Sequence, residues 1–194
     1  MRSVRNKLHT LRALAPDLSS HDVCCLTETW LTADVADTEL QLGWDQHTWF
    51  RRDRLTHGGG VACAVRTQLR PIRRQDLEPD AAEVLVVEVG GSRSVYVAVC
   101  YRPPDRDCDF SPIFECLAKP CTTGRPVIAC GDFNLPEIEW PSDDFPVTPR
   151  RSARAVEFLF LYILTVSPNL CTHPREVILR STWFYPAEAI LKPM

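Results

Sequence analysis

Apolar runs separated by polar and glycine-containing segments recur along the chain and predict the strands of a sheet. The runs cover 22–28, 61–65, 83–89, 94–101 and 127–130. The last run has no polar alternation, so both faces of that strand are expected to be covered. A Gly-Gly-Ser turn joins the third run to the fourth, which predicts an antiparallel hairpin.

Helical spacing of apolar residues predicts three helices between and around these strands. The first covers 4–15 and is expected to end at Pro16. The second covers 110–118, with Ser111 as its cap and a proline at its first position, and the third covers 152–164. This order of elements is typical of a layered α/β domain, in which helices pack on the outside of the sheets.

The remaining segments give weaker signals. Residues 32–46 predict no regular structure, and 47–54 is a short aromatic and basic stretch. The three glycines at 58–60 favour a hairpin-type turn over a phosphate cradle, because they lack the spacing of a phosphate-binding loop. A further strand is predicted within 176–185, and 186–194 indicates no element.

The composition indicates one globular domain. The 194 residues are 45% apolar and 24% charged, and no internal repeat or domain boundary is visible. We therefore expect a single domain over 1–194. The net charge of −3 argues against a DNA-binding protein that works by its overall charge.

One basic segment departs from this balance. From Arg51 to Arg74 there are seven arginines and one acidic residue, Asp53, which gives a local charge of +6. A basic face of this kind can meet phosphate groups, and it can equally be a solvated charged surface. The sequence alone leaves both interpretations open.

The cysteines indicate a reducing environment. Nine are present and none forms a C-x-x-C pair, which argues against a zinc site. The odd count and the lack of a signal peptide predict an intracellular protein, which would be nuclear if it acts on DNA. No apolar run has the length needed to cross a membrane. The cysteines expected to be small buried hydrophobes in the strand runs are Cys24, Cys25, Cys63, Cys100 and Cys130.

Polar side chains follow three of the predicted strands at the point where each strand ends. Asp132 and Asn134 follow Gly131, which is expected to free the backbone there, and they project to one side of an extended chain. They can position a water or hold a phosphate oxygen, or they can form an Asx turn that merely ends the strand. Glu28 and Tyr101 come at the ends of two other strands.

The chemistry of these groups suggests one kind of site if the strand ends converge, as they usually do in layered α/β domains. One glutamate suits Mg²⁺, which takes one or two carboxylates together with substrate phosphate. An aspartate beside an asparagine suits the orientation of a water, and a tyrosine hydroxyl suits a phosphate oxygen. Together these groups predict metal-assisted hydrolysis of a phosphodiester.

Four motifs carry a resemblance to a known family. In chain order they are Leu26-Thr27-Glu28-Thr29-Trp30-Leu31, Gly58-Gly59-Gly60-Val61, Tyr101-Arg102-Pro103-Pro104 and Gly131-Asp132-Phe133-Asn134. With these motifs the chain resembles the endonuclease/exonuclease/phosphatase superfamily from residue 2 to about residue 175. More narrowly, it is similar to the apurinic-like endonuclease domain of non-LTR (LINE-type) retrotransposons. The resemblance implies an α/β fold, a four-layer sandwich of two β-sheets flanked by helices.

The resemblance also implies a role for each residue at the strand ends. Glu28 would bind Mg²⁺, with Mn²⁺ as a substitute, and Tyr101 would contact the scissile phosphate. Asp132 would position or deprotonate the attacking water, and Asn134 would help to hold the phosphate. The expected partner is DNA, with no membrane and no obligate protein partner. The arginines expected to contact the nucleic acid are Arg51, Arg52, Arg54 and Arg102.

Two parts of the family pattern are absent from the sequence. The family's first catalytic asparagine would lie two residues before Arg2, and no Ser-Asp-His segment occurs in the chain. His173 lies in a Thr-His-Pro-Arg segment and is expected to be a loop histidine. We therefore expect an incomplete sandwich, divergent and truncated after about residue 175, and a DNA-nicking endonuclease that is weak or inactive.

Alternatives to an impaired enzyme stay open at this stage. One is a non-catalytic remnant that binds nucleic acid through the segment Arg51–Arg74, and another is a gene-model fragment without a stable product. A phosphatase acting on inositol lipids or proteins would belong to the same superfamily. The motifs resemble the retroelement branch more closely than they resemble such phosphatases.

Overall fold

Eight strands and four α-helices form the part of the chain that the computed structural model describes, which is 3–18, 20–56, 58–104, 109–121, 123–138, 153–166 and 177–181. The strands are β1 (Val23–Thr27), β2 (His47–Arg52), β3 (Val61–Arg66), β4 (Ile72–Arg73), β5 (Glu83–Val89), β6 (Val95–Tyr101), β7 (Val127–Asp132) and β8 (Val177–Ser181). The helices are α1 (Leu8–Leu18), α2 (Asp37–Gln41), α3 (Ser111–Cys121) and α4 (Ala153–Val166). Within these residues, none of the helices has the length and apolar character that crossing a bilayer requires.

The strands form two sheets. The first is antiparallel, with the order β1-β3-β2, and the second has the order β4-β5-β6-β7-β8. In the second sheet β4, β5 and β6 are antiparallel neighbours, whereas β6, β7 and β8 run parallel to one another. The predicted hairpin is confirmed as β5 and β6, whose register places Glu83 opposite Tyr101.

Three apolar cores separate four layers. The first core lies between α1 and the three-stranded sheet and contains Leu11 and Trp44. The second lies between the two sheets and contains valines together with Tyr101 and Cys130. The third lies between the five-stranded sheet and helices α3 and α4, where Phe158 packs edge-on against three other phenylalanine rings. The four-layer α/β arrangement expected from the sequence is therefore confirmed.

The strand cysteines lie inside the fold as predicted. Four of the five are buried and Cys25 is half-buried, and all are free thiols. Cys25 and Cys63 are direct neighbours across β1 and β3, with their sulfur atoms 3.8 Å apart. Burial raises the pKa of the Cys100 thiol well above its usual range, so this side chain behaves as a neutral apolar group.

Helix α1 departs from its predicted bounds at both ends. A 3₁₀ turn at Arg5–Lys7 precedes it, and the helix continues through Pro16 to Leu18. The prediction that Pro16 ends the helix is wrong. Ala15 and Leu18 are buried in the first core, and their packing holds the last turn although the proline has no N–H to donate.

A short helix, α2, lies within the segment 32–46, where the sequence predicted no regular structure. Five residues are too few to show a helical period, and Leu40 is the residue that α2 buries. The Glu39 carboxylate accepts a 3.4 Å hydrogen bond from the Ala36 N–H, which closes the first turn. The aromatic and basic stretch that follows contains β2, and the three glycines lie in the connection from β2 to β3, as a hairpin-type turn requires.

Helix α3 is capped by Asp109 rather than by Ser111. The Asp109 carboxylate accepts hydrogen bonds of 2.9 Å from both the N–H and the hydroxyl of Ser111, and these bonds lower its pKa. Ser111 is instead the first residue of the helix. Helix α4 begins one residue after its predicted start, and the strand expected within 176–185 is β8.

Candidate active site at the strand ends

The ends of β1, β6 and β7 meet at one edge of the sandwich. β6 and β7 are parallel neighbours, with Tyr101 directly opposite Asp132, and the Arg102 N–H continues this pairing by donating to the Asp132 carbonyl at 2.9 Å. The Tyr101 hydroxyl reaches across to the three-stranded sheet and donates to the Glu28 carboxylate. Asn134 lies in the turn directly after β7. These four residues, Glu28, Tyr101, Asp132 and Asn134, form one group, which we call the rim.

Glu28 is held in a strained segment of backbone. Its carboxylate accepts a second hydrogen bond, from the indole N–H of Trp30. The backbone is left-handed at both residues, with φ of 54° at Glu28 and 55° at Trp30. Such angles cost roughly 1–2 kcal/mol each for residues other than glycine, and surrounding structure must hold them. One such contact is the 2.9 Å hydrogen bond from the Ser3 N–H to the Glu28 carbonyl.

The Asp132 side chain forms the Asx turn that the sequence offered as one of two alternatives. Its Oδ1 accepts a 3.0 Å hydrogen bond from the Asn134 N–H, and Asn134 has a left-handed φ of 49°. The Asn134 carboxamide donates to the Arg102 carbonyl at 2.7 Å, which ties the turn back to the end of β6. The turn orients Asp132 without excluding a chemical role, because an ionised carboxylate can accept further bonds beyond this one.

Gly131 sets the distance between β6 and β7 beneath the rim. A Cβ added at this position would lie 1.8 Å from the Cys100 carbonyl oxygen and 2.7 Å from the carbonyl carbon. The sequence suggested that glycine frees the backbone here. The structure gives a more specific reason, since the missing side chain allows the two strands to approach closely and brings Tyr101 beside Asp132.

Burial and nearby carboxylates raise the pKa of Tyr101. Burial is the largest cause, followed by the hydrogen bond to Glu28 and then by the negative charges of Glu28, Asp132 and Glu83. The hydroxyl therefore stays protonated throughout the physiological pH range. It acts as a neutral hydrogen-bond donor in the middle of the rim.

A cavity of about 440 Å³ lies beside the rim. Its lining includes Tyr101 and Arg102 from the end of β6, Arg54 and the exposed Leu55 from the connection after β2, and Glu83 from the start of β5. Ligand pockets typically have volumes of roughly 300–1,000 Å³. The cavity is therefore large enough for part of a nucleotide with its phosphate next to Tyr101.

The arginines predicted to contact nucleic acid are engaged within the chain. Arg51 donates to the Val35 carbonyl at 2.7 Å, and Arg52 donates to the carbonyls of Pro79 and Val84 at 2.8 and 3.0 Å. These bonds fix the two guanidinium groups to loops and to β5. Arg51 and Arg52 therefore help to hold the fold together, whether or not they also contact nucleic acid.

Ion pairs offset the charge of the same basic segment. Arg54 Nε lies 2.9 Å from Glu83. Arg102, which follows β6 and lies outside the segment, is 1% exposed, and its guanidinium is 4.3 Å from the centre of the Phe110 ring. The local charge of +6 is thus largely compensated by acids from other elements. Carboxylates that pair with arginines of the segment are Asp22, Asp37, Asp53, Asp76, Glu78, Glu83 and Glu88. Contact of these arginines with nucleic acid stays a prediction.

Replacing Arg51, Arg52 and Arg54 together by alanine is expected to lower the free energy of unfolding by roughly 3 kcal/mol or more. Each guanidinium leaves behind carbonyl or carboxylate groups without partners, and one such buried group costs ~1–3 kcal/mol. Urea denaturation measures the change. A triple variant with wild-type stability and weakened DNA binding would instead support a nucleic-acid-binding face.

Sequence reasoning missed two residues next to the rim, Trp30 and Glu83. Trp30 lies inside one of the four motifs, but nothing in the pattern shows that its indole N–H points back to the Glu28 carboxylate. Glu83 had a usable signal. It opens an otherwise apolar strand, and the register of the predicted hairpin already places it opposite Tyr101.

The acidic groups at the rim fit a magnesium-type ion better than a metal held in a cage of side chains. Among the described residues, no group of three or more Asp, Glu, His or Cys side chains could hold a metal ion. Mg²⁺ commonly binds one or two carboxylates and fills its other positions with water and phosphate oxygens. Glu28, whose carboxylate is aimed by Tyr101 and Trp30, is suited to that role.

No histidine of the described chain lies at the rim. His21 and His47 are at the opposite end of the three-stranded sheet, where His47 Nε2 is 2.9 Å from the His21 carbonyl. His9 is exposed on α1. His57 and His173 lie outside the described residues, so the prediction of a loop histidine at 173 stays a prediction.

Two face-to-face sheets between helices define a four-layer α/β sandwich, with carboxylates and a tyrosine at adjoining strand ends. The chain belongs to the Endonuclease/Exonuclease/phosphatase family, whose sequence model matches residues 2–188. Enzymes of this family hydrolyse phosphodiester or phosphate ester bonds, and they generally use divalent metal ions. A comparison with curated protein sequences found no significant match.

Solved structures share the fold at low sequence identity. An AP endonuclease from Archaeoglobus fulgidus is 17% identical with a TM-score of 0.57, over 84% of this chain and 68% of that one. The 3′ phosphatase NExo from Neisseria, bound to a product DNA hairpin, is 19% identical with a TM-score of 0.51, over 69% of this chain. The match spans 55% of the Neisseria chain. At these identities the likeness concerns the fold.

Proposed function

We propose that this chain is a metal-dependent endonuclease domain that nicks one strand of DNA and derives from a LINE-type retroelement. The observation that carries the proposal is the position of Tyr101. Its hydroxyl contacts Glu28 on one sheet, and its backbone is paired with Asp132 on the neighbouring strand of the other sheet. A carboxylate suited to a metal ion and a carboxylate suited to a water are thereby brought to one rim, beside a cavity of about 440 Å³ that Tyr101 lines.

Each rim residue has a proposed part in the reaction. Glu28 would hold Mg²⁺, and the ion would supply positive charge against the negative charge of the phosphate. Asp132 would accept a proton from the attacking water as its oxygen bonds to phosphorus, while the bond from phosphorus to the leaving strand oxygen breaks and that oxygen takes a proton from solvent. The Asx turn and the bond from Asn134 to Arg102 keep the Asp132 carboxylate in place. Tyr101 has one O–H donor, which points to the Glu28 carboxylate and would turn to the phosphate when that carboxylate binds the ion. Asn134 is available to orient the phosphate through its carboxamide.

The chain by itself is expected to be a slow enzyme. Its 194 residues contain no Ser-Asp-His segment, so the group that would stabilise the phosphate from the far side is not supplied by that motif. Loss of one preorganised electrostatic group typically costs ~10²–10³ in rate. We therefore expect slow nicking, and the assay must be sensitive enough to detect it.

The purified chain is expected to convert supercoiled plasmid DNA to the open circle in the presence of Mg²⁺, and EDTA is expected to stop the reaction. Agarose gel electrophoresis over long incubations measures the rate. Glu28→Gln is the matched control, because it keeps the shape of the side chain and removes the negative charge that binds the ion. Nicking that persists in EDTA, or that is as fast in Glu28→Gln as in the wild type, would contradict the proposal.

The retroelement origin and the DNA substrate have separate support. The four motifs lie in the order found in the LINE-type domain, and one fold neighbour is described as bound to a DNA hairpin. The genomic sequence around the coding region tests the origin directly. A neighbouring frame that encodes a reverse transcriptase supports it, and an unrelated gene structure on both sides argues against it.

A non-catalytic role in binding nucleic acid has weaker support. The arginines that would form the binding face already pair with carboxylates and carbonyls of the chain. Binding through a free basic face would weaken steeply with added salt. Salt-sensitive binding without any Mg²⁺-dependent nicking would favour a non-catalytic nucleic-acid-binding role over an endonuclease.

A further inference from the structure

Glu83 connects the five-stranded sheet to the turn that contains the three glycines at 58–60, which we call the glycine turn. This turn lies next to the rim. Its Oε2 accepts a 2.6 Å hydrogen bond from the Gly60 N–H, and its Oε1 lies 2.9 Å from Arg54 Nε. Glu83 is the first residue of β5 and lies opposite Tyr101, so the sheet fixes its position. The Glu83 side chain is only 15% exposed. It therefore forms a well-placed contact between two separate parts of the fold.

The glycine turn also holds the backbone that follows Glu28. The Gly59 carbonyl accepts a 2.9 Å hydrogen bond from the Trp30 N–H, and the Gly60 carbonyl accepts one of 3.2 Å from the Thr29 N–H. Thr29 and Trp30 directly follow Glu28, and Trp30 shares its left-handed backbone conformation. After the hydrogen bond from the Gly60 N–H to Glu83, the connection to Glu28 thus consists of backbone hydrogen bonds alone.

The glycine turn has little space for another arrangement. A Cβ added at Gly59 would lie 2.6 Å from Glu83 Oε2, and one added at Gly60 would lie 2.6 Å from Thr29 Oγ1. Both glycines have positive φ angles, 67° and 83°. Glycine at these positions therefore allows the close contact with Glu83 and with the Glu28 segment, in addition to the turn itself.

We propose that Glu83 is a positioning residue for the metal site at Glu28, an inference that rests on the proposed function. It acts through the glycine turn, which holds the strained backbone at Glu28 and Trp30 in the orientation that presents the carboxylate. Outer groups that orient a metal ligand typically change metal affinity by ~10- to 100-fold when they are removed. The effect of losing Glu83 should therefore appear in metal binding and not only in catalysis.

Binding of Mn²⁺ to the full chain tests this inference without any activity measurement. Electron paramagnetic resonance of free Mn²⁺ gives the dissociation constant, with Mn²⁺ standing in for Mg²⁺. Glu83→Ala is expected to raise this constant by ~10- to 100-fold. Glu83→Gln is the matched variant: its amide oxygen can still accept from the Gly60 N–H, but its NH2 group replaces the oxygen that pairs with Arg54, so its dissociation constant is expected to lie between those of the wild type and Glu83→Ala.

Two further variants separate positioning from a general loss of stability. Val87→Ala removes two methyl groups from a fully buried side chain of the same strand. It should lower the melting temperature and leave the Mn²⁺ dissociation constant unchanged. Gly59→Ala places a methyl group against the Glu83 carboxylate, and it should weaken Mn²⁺ binding as Glu83→Ala does. Glu28→Gln should remove the binding site altogether.

The outcomes distinguish this inference from the proposed function. If the wild type binds Mn²⁺, Glu28→Gln does not, and Glu83→Ala binds as tightly as the wild type, the role of Glu83 is overturned and the proposed function stands. If Val87→Ala weakens binding as much as Glu83→Ala, positioning is likewise overturned, because lost stability alone explains the effect. If the wild type does not bind Mn²⁺ through Glu28, both proposals are overturned.

Discussion

Asp132→Asn is expected to unfold at the wild-type temperature and to nick DNA ~10²–10⁴-fold more slowly, the range over which a positioned acid–base group contributes. The amide oxygen of asparagine can still accept the hydrogen bond from the Asn134 N–H, so the Asx turn survives. What disappears is the carboxylate that would take a proton from water. Plasmid nicking in Mg²⁺ and a thermal melt of the same sample measure the two effects.

Asp132→Ala serves as the companion variant, because it removes the turn acceptor as well as the carboxylate. We expect it to lose activity to the same extent and, in addition, ~0.5–1.5 kcal/mol of stability with the hydrogen bond to the Asn134 N–H. The pair of variants separates the two interpretations of the Gly-Asp-Phe-Asn motif. Full activity in Asp132→Asn would show that the aspartate only forms the turn.

Gly131→Ala is expected to destabilise the protein by ~4 kcal/mol or more, which is in the range reserved for severe steric or packing defects. The new methyl group would lie 1.8 Å from the Cys100 carbonyl oxygen. That oxygen is backbone in the centre of the five-stranded sheet, so β6 and β7 would have to separate. Urea denaturation followed by circular dichroism measures the loss.

Gly91→Ala is the matched control for this experiment. Gly91 also has a positive φ, 66°, but a Cβ there would meet nothing within 4 Å. It should cost only the ~1–2 kcal/mol of placing alanine in a left-handed conformation. Equal losses for the two variants would show that backbone conformation, rather than the close approach of β6 and β7, explains the glycine at 131.

The parts of the fold that the sequence predicted well are those where one local pattern determines the element. The apolar run and Gly-Gly-Ser turn around 83–101 predicted a hairpin, and β5 and β6 form it with Glu83 opposite Tyr101. The polar residues at strand ends predicted a shared edge, and the hydroxyl of Tyr101 does reach Glu28. Parallel pairing of β6 with β7 was not visible in the pattern, since the two strands are far apart in sequence.

The parts that sequence reasoning missed depend on contacts between distant segments. Pro16 was expected to end α1, but burial of Ala15 and Leu18 outweighs the missing N–H. The sequence left open whether the arginine-rich segment is a phosphate-binding face or a solvated surface, because the pairing of its arginines with acids such as Glu78 and Glu83 depends on the fold. A local window of sequence contains the charges but not their partners.

The order of strands also has a consequence for synthesis on the ribosome. The three-stranded sheet ends at Arg66, but its inner face is covered by residues of β5, β6 and β7, the last of which ends at Asp132. At translation rates of ~5–20 residues per second, the interval between these two positions lasts roughly 3 to 13 seconds. Until β5 and β6 are made the valines of β1 and β3 have no covering layer, and the layer is complete only with β7, so apolar surface of the nascent chain stays exposed in the meantime.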